Sequence, residues 1–413
     1  MSRITERVVA ERGQLLTQAF TPTSPIRLPE LLRGRGNVLR DVLDAARTEA
    51  MHIVLYGDRG VGKTSLAYVA GALLQRPPST QQSPQLGVLF ASCSSSDDYS
   101  TLWRAVFSDV ITAERTRAMG FTGDDATVGT GNLQIPLESL RTPAQVHQIA
   151  RSLAGPLLII IDEFDRLPGE ETRTLMADTI KLFADRATNA TIMIVGVADS
   201  VAELLQAHQS IGRNLQEIHV PLMSENELRE IVEKGWTAAR MTWAEGVSRK
   251  VARLARGYPN YAHMLARETG RAALNRQDDG ILDLDVQEAI NGMVEGPALG
   301  LRTDYERGVD SPQPENLFRQ VLLACALAEK DALGRFAAAD VRAPLRAITG
   351  RNYYDIPHFQ SHLTKFCQSP RNILKQSGAP RSYRYRFVDP RMIPYVILKG
   401  AADNLTTLEQ ALR

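Results

Sequence analysis

The sequence predicts an α/β fold: a parallel sheet covered by helices, then a helical segment and a small C-terminal module of three helices and a hairpin. Three observations carry this prediction. Residues 52–56 (HIVLY) form an apolar run of strand length that feeds into a glycine-rich loop and then into the small-residue helical stretch 65–74. A second run, Leu157-Leu-Ile-Ile-Ile161, is aliphatic throughout, as a strand buried on both faces of a parallel sheet must be, and it ends in the adjacent acids Asp162 and Glu163. From Ser224 onward the apolar spacing becomes helical.

A chain of 413 residues exceeds the roughly 250–300 residues that one core spans, so two or three domains are expected. The 44% hydrophobic and 23% charged content is that of an ordinary globular protein. No apolar run approaches the ~18 residues of a membrane helix, and the N-terminus lacks the apolar core of a signal peptide. A cytoplasmic protein without membrane association is therefore expected. Cys93, Cys325 and Cys367 are far apart and lack metal-ligand spacing, which argues for reduced, structural cysteines. The formal net charge of +1 conceals an asymmetry: residues 315–399 hold 14 Lys/Arg against 6 Asp/Glu, so the rest of the chain is net acidic.

Taken in order, residues 4–20 show apolar positions of a short amphipathic helix that Gly13 is expected to break, followed by a proline-punctuated linker to Pro29. Arg35 precedes a helical pattern through Val38, Val42 and Ala46, and it either lines a base pocket or is a solvated arginine. Then comes Gly57-Asp58-Arg59-Gly60-Val61-Gly62-Lys63-Thr64-Ser65 between strand and helix. Glycines let backbone N–H groups turn around a phosphate, and the helix aims its positive dipole end at the anion. In this pattern the lysine, Lys63, reaches the β and γ phosphates and the Thr64 hydroxyl ligates Mg²⁺.

Leu86–Ala91 is the next strand candidate, and residues 119–142 are glycine-rich, a surface insertion. At the end of the strand 157–161, Asp162 would hold Mg²⁺ and Glu163 would act as general base on the attacking water, with Asp165 a cap or salt-bridge partner. Residues 190–197 repeat the buried-strand pattern and end at Asp199 and Ser200, which either sense the γ-phosphate or cap a helix. Arg213, before a short strand at 217–221, is either an arginine finger on a neighbouring subunit's nucleotide or a surface arginine.

Ser224-Glu-Asn-Glu227 is a capping box opening a helix, and further helical patterns follow at 248–256, 260–275 and 284–294, with Gly257-Tyr258-Pro259 between the first two. Residues 296–314 read as a linker, and helices are expected at 317–328, 338–348 and 356–366, then strands near 372–376 and 382–388. Three helices and a hairpin is the order of a winged helix. The expected divisions are 1–29 (N-terminal helix and linker), 30–222 (core), 223–296 (helical lid), 297–314 (linker), 315–400 (winged helix) and 401–413 (tail).

With Gly57–Thr64, Asp162-Glu163 and Gly257-Tyr-Pro259 in this order, the chain resembles the AAA+/STAND class of P-loop ATPases, in its initiator-type branch. The resemblance covers about residues 30–400. It implies a P-loop sheet of order 5-1-4-3-2, ATP and Mg²⁺ as ligands, ATP hydrolysis, and an adenine contact by Pro259 and Tyr258 from the lid.

Two roles follow for such an ATPase. In one, ATP drives homo-oligomerisation and the winged helix grips double-stranded DNA through Arg371, Lys375, Arg381, Arg384 and Arg386, with a transposase or replication protein as partner. These cations interleave with Tyr383, Tyr385 and Phe387, and strand alternation sends Arg384 and Arg386 to the face opposite the aromatics. In the other, the winged helix regulates assembly with a separately encoded effector.

Overall fold

The computed structural model describes residues 4–75, 86–118, 140–153, 155–197, 212–295, 301–313, 316–331, 333–380 and 382–411. Most of the expected insertion, Asp199, Ser200 and Arg381 lie outside them. The chain divides into two compact units: Pro25–Pro221, and Met1–Ser24 together with Leu222–Arg413.

After α1 (Glu6–Ala19), which belongs to the second unit, the first unit carries α2 (Gly36–Arg47), α3 (Lys63–Gln75), α4 (Tyr99–Ala118), α5 (Pro143–Ser152) and α6 (Glu170–Asp185). They cover a parallel sheet of β1 (His52–Tyr56), β2 (Gly87–Ser92), β3 (Leu157–Asp162), β4 (Ala190–Gly196) and β5 (Leu215–His219). The strand order is β2-β3-β4-β1-β5, the expected 5-1-4-3-2 read from the other edge. β3 and β4 are buried along their whole length, which accounts for their unbroken aliphatic sequence. With β4 inserted between β1 and β3, the glycine loop and the acidic pair come to the same carboxyl edge, where open α/β sheets place their ligands.

Under this sheet Trp103, Phe107, Phe164 and Phe183 are fully buried. His52 closes the opposite edge. Its Nδ1 accepts the backbone N–H of Ile192 at 3.0 Å, standing in for a missing carbonyl at the start of β4. Burial lowers its pKa to about 4, so the ring is neutral and carries its proton on Nε2.

In the second unit, α7 (Glu225–Ala238), α8 (Val247–Leu254), α9 (Pro259–Asn275) and α10 (Asp283–Glu295) form the helical segment, laced by the two-residue parallel pair β6 (Thr242–Trp243) and β7 (Gly280–Ile281). The Ser224/Glu227 capping box at the start of α7 is formed in both directions. Gly13 does not break α1. The helix is held from outside, because α1 packs on α7 and α9. Gly235 makes room for the Phe20 ring, which a Cβ there would approach to 2.1 Å, and Gly270 likewise admits Leu16.

The expected linker contains a helix, α11 (Arg302–Val309), anchored by the buried Tyr305 against Tyr395. The C-terminal module then runs α12 (Phe318–Leu327), α13 (Ala338–Thr349), α14 (Ile356–Phe366), and the antiparallel hairpin β8 (Leu374–Ser377) and β9 (Arg384–Phe387). Phe336 adds a bridge to Tyr385, and the order of three helices before a hairpin is the expected one. A helix that the sequence patterning does not predict, α15 (Met392–Ala402), follows and packs on α10 and α12 before the short α16 (Leu408–Ala411). All three cysteines are free.

Two glycine substitutions test the docking of α1. Gly235→Ala is expected to destabilise the protein by about 1–3 kcal/mol through overpacking against Phe20. Gly13→Ala, which meets nothing within 4 Å, should stabilise it by roughly 0.5–1 kcal/mol. Urea denaturation of the two variants reads both signs; equal and small effects would mean that α1 is not seated on α7.

Candidate functional site

At the carboxyl edge β5 runs beside β1 and its exit meets the glycine loop. The N–H of Val220 donates to the Tyr56 carbonyl at 2.7 Å, and a Cβ on Gly57 would come within 2.4 Å of the Val220 carbonyl oxygen. Only glycine passes here. Gly60 and Gly62, with φ of +85° and +94°, then turn the backbone through the left-handed region into α3.

Arg35 is buried, which removes the solvated alternative for it. Its Nη2 donates to the carbonyls of Val61 (3.0 Å) and Pro221 (2.7 Å), tying the loop to the segment that follows β5. The Ser65 hydroxyl accepts the Ile26 N–H at 3.0 Å, while Arg27 lies 4.9 Å over the Tyr68 ring, which stacks on Phe90 at 4.2 Å. The entry segment is thereby laid along α3.

Lys63 opens α3, and its Nζ donates to the Gly57 and Asp58 carbonyls at 2.9 and 2.8 Å. Burial lowers its pKa, against the opposing pull of Asp165, Asp162 and Asp58. The ammonium is therefore poorly solvated and held over the loop, as a phosphate-binding lysine must be.

Asp162 is buried at the end of β3, where it accepts the Glu163 N–H at 2.8 Å and a hydrogen bond from the Thr64 side chain. Burial raises its pKa. A hydroxyl from α3 and a desolvated carboxylate from β3, already in contact, are hard oxygen donors that fit Mg²⁺, and a divalent cation would hold the carboxylate ionised. Among the described residues no cluster of three His, Cys, Asp or Glu offers another metal site.

Glu163 sits at φ +53°, ψ 37°, a left-handed conformation that costs a non-glycine residue about 1–2 kcal/mol. Its Oε2 accepts from Arg166 at 2.8 Å and from the Ser92 hydroxyl at 3.4 Å. Asp165 is a salt-bridge partner: Arg59 of the loop donates to it at 2.7 Å, joining the two motifs. Cys93, next to Asp162 through a backbone bond, is buried with its thiol pKa pushed up to about 12, and is inert.

The remaining candidates fall elsewhere. Arg213 is exposed just before β5, and the parallel register Leu215↔His52, His219↔Tyr56 puts it at the opposite edge from the glycine loop of its own chain, about 17 Å away at ~3.3 Å per residue. In the second unit, Gly257 (φ +89°) accepts the Met223 N–H at 3.0 Å and leaves room for Leu222, whose Cβ a side chain there would approach to 2.7 Å. Pro259 starts α9 half-buried, and Tyr258 is buried edge-on to Tyr261.

On the hairpin Leu374, Tyr385 and Phe387 face inward, and Lys375 stands directly across from Arg386 on the outer face, with the exposed Arg384 on that face as well. Arg371 departs from the nucleic-acid expectation. Its guanidinium donates to the Gly308 and Asp310 carbonyls at 3.0 and 2.5 Å and covers the Phe318 ring at 4.2 Å, so it fastens α11 to α12. The Arg59–Asp165 and Arg166–Glu163 pairs are not anticipated from the sequence, although Arg166 three residues after Glu163 is a visible signal.

A family model described as Novel STAND NTPase 1 matches residues 28–345. No curated protein matches the sequence. Among solved structures, the ORC2 protein of Aeropyrum pernix in ADPNP–ADP complexes is similar at a TM-score of 0.50 and 14% identity, over 94% of this chain and 97% of its own. A Walker-type ATPase of Pyrococcus abyssi is similar at a TM-score of 0.52 and 16% identity, over 91% of this chain and 98% of its own. At these identities the likeness is one of fold.

Asp162 yields a prediction. Its folded pKa stands above the unfolded value, so ionisation costs stability: the cost is absent below pH 3.8 and fully present once the pH has risen through the folded pKa. Asp162→Asn should therefore raise the unfolding free energy of the nucleotide-free protein near neutral pH by about 1 kcal/mol or more while weakening Mg²⁺-dependent nucleotide binding. Thermal melts with and without Mg²⁺ check both halves, and a destabilised variant would show that burial is not the dominant influence on this carboxylate.

Proposed function

This chain belongs to the novel STAND NTPase 1 family, and on that premise we propose that it is an ATP-driven molecular switch. It binds ATP with Mg²⁺, hydrolyses it slowly, assembles with further copies in the ATP form, and contacts double-stranded DNA through its C-terminal winged helix. The observation that carries the ATPase reading is the convergence on one sheet edge of Lys63, the Thr64–Asp162 pair and Glu163. The A. pernix ORC2 protein was solved with ADPNP and ADP, the two kinds of nucleotide state this reading assigns here.

In the proposed cycle Lys63 exchanges its loop carbonyls for phosphate oxygens, and the N–H groups of residues 60–65 bind the rest of the anion. Thr64 and Asp162 would hold Mg²⁺, which when bound would supply charge neutralisation at the transferred phosphoryl group. Glu163 takes a proton from water on Oε1, the oxygen that carries neither the Arg166 nor the Ser92 bond, and those two bonds orient it. Arg213, remote from the loop of its own chain, completes the site of a neighbouring copy. Pro259 contacts the adenine from the lid.

For DNA, the support is the opposed Lys375 and Arg386. With Arg384 on the same outer face of the hairpin they form a positive surface that attracts phosphates. A second reading is favoured by the packing of α15 on α10 and by the bond from the Tyr261 hydroxyl to the Arg391 carbonyl, at 2.9 Å, which fasten the C-terminal module to the lid. On that reading the module locks the ADP form, and ATP releases it toward a separately encoded effector.

Lys63→Ala is expected to weaken ATP binding on the order of 100-fold or more, the loss of strong charge-assisted bonds. Glu163→Gln should bind ATP normally and turn over roughly 10²–10⁴ times more slowly. Nucleotide titration and phosphate release measure the two, and wild-type turnover by the glutamine variant would displace Glu163 from the base role. Separately, replacing Lys375, Arg384 and Arg386 by alanine should lower the slope of log affinity for duplex DNA against log salt by about 2–3. An unchanged slope favours the effector reading.

A further inference from the structure

The hairpin leaves a second cationic feature of the same module unused, the turn 350–355 between α13 and α14. Tyr353 here is 58% exposed, yet it is not loose. Its ring lies 4.6 Å from that of the buried Tyr354 and 6.0 Å from His358, and Arg351 donates to its hydroxyl at 3.0 Å. Tyr354 is fixed in turn by Arg346, whose Nε donates to its carbonyl at 2.8 Å. The acid of the turn, Asp355, is already committed: it accepts the Ile356 N–H at 2.8 Å and pairs with Arg342 at 2.7 Å. Arg342, Arg346 and Arg351 therefore outweigh it.

We propose that this turn is a stacking platform for an unpaired nucleobase, so that the nucleic acid recognised is a duplex carrying a single-stranded segment rather than a continuous duplex. The proposal rests on the nucleic-acid reading and specifies its substrate. An exposed aromatic face that is rigid beforehand loses little entropy when a flat partner covers it, and a surrounding positive surface selects a partner whose backbone is anionic. A nucleobase on its phosphodiester chain meets both demands. In an intact duplex the base faces are covered by neighbouring pairs, so only an unpaired base presents one to Tyr353. The hairpin cations would hold the adjoining duplex by its phosphates.

The test is fluorescence anisotropy of the full chain, at fixed salt with Mg²⁺ and a slowly hydrolysed ATP analogue. Three probes are compared: a blunt duplex, the same duplex with a single-stranded extension, and the extended duplex with the bases of its extension removed. Wild type should prefer the extended duplex by roughly 5- to 100-fold, the worth of one stacked base, and should lose the preference on the abasic probe. Tyr353→Leu should abolish the preference without changing blunt-duplex binding, and Tyr353→Phe, which keeps the ring, should retain it. The Lys375/Arg384/Arg386 alanine variant should weaken both base-containing probes alike. A wild-type preference absent, or one that survives the abasic probe or Tyr353→Leu, overturns the platform and leaves the DNA reading standing. Failure of wild type to bind any probe overturns both.

Discussion

The closeness with which the exit of β5 passes the glycine loop is the constraint on which this site depends. Val220 bonds to Tyr56 and presses its carbonyl against Gly57, so neither the loop nor the strand end can shift without the other. One residue later the Pro221 carbonyl takes the buried Arg35, which also holds Val61 of the loop. Leu222 and Met223 then engage Gly257, the glycine before Tyr258-Pro259. Val220 and Pro221 thus serve the glycine loop, and Leu222 and Met223 serve the turn at Gly257.

The acidic side of the site is arranged so that charges are desolvated where a ligand would reward it and paired where none would. Lys63 and Asp162 are both penalised by burial, in opposite directions, and a phosphate with Mg²⁺ would relieve both penalties. The outer pairs, Arg59–Asp165 and Arg166–Glu163, are partly exposed and screened by solvent, so they contribute little stability. Their effect is positional. They fix the turn that keeps Glu163 in a left-handed conformation, a local strain of the kind found at reacting centres.

What is legible in the sequence is what local chemistry dictates. Strand, loop and helix at 52–75 must occur together for a phosphate cradle to exist, the capping box at Ser224 is a four-residue device, and alternation alone places Arg384 and Arg386 opposite the aromatics. The parallel strand order comes from resemblance rather than from pattern. The misses share a cause, a partner distant in sequence. Gly13 is tolerated because α1 rests on Gly235 and Gly270, Arg35 and Arg371 are occupied by carbonyls far along the chain, and His52 serves a strand 140 residues away. α15 is missed because its apolar run with Pro394 near the start reads as a buried strand as readily as a buried helix.

The central claim, that the loop Gly57–Ser65 together with Asp162 forms a nucleotide site, is tested most directly by hydrogen exchange of the wild-type protein with and without a slowly hydrolysed ATP analogue and Mg²⁺. The expected result is slowed exchange of the amides of residues 57–65 and of the end of β3 at Asp162 and Glu163. Exchange of these amides as fast with the analogue as in the nucleotide-free protein would contradict it.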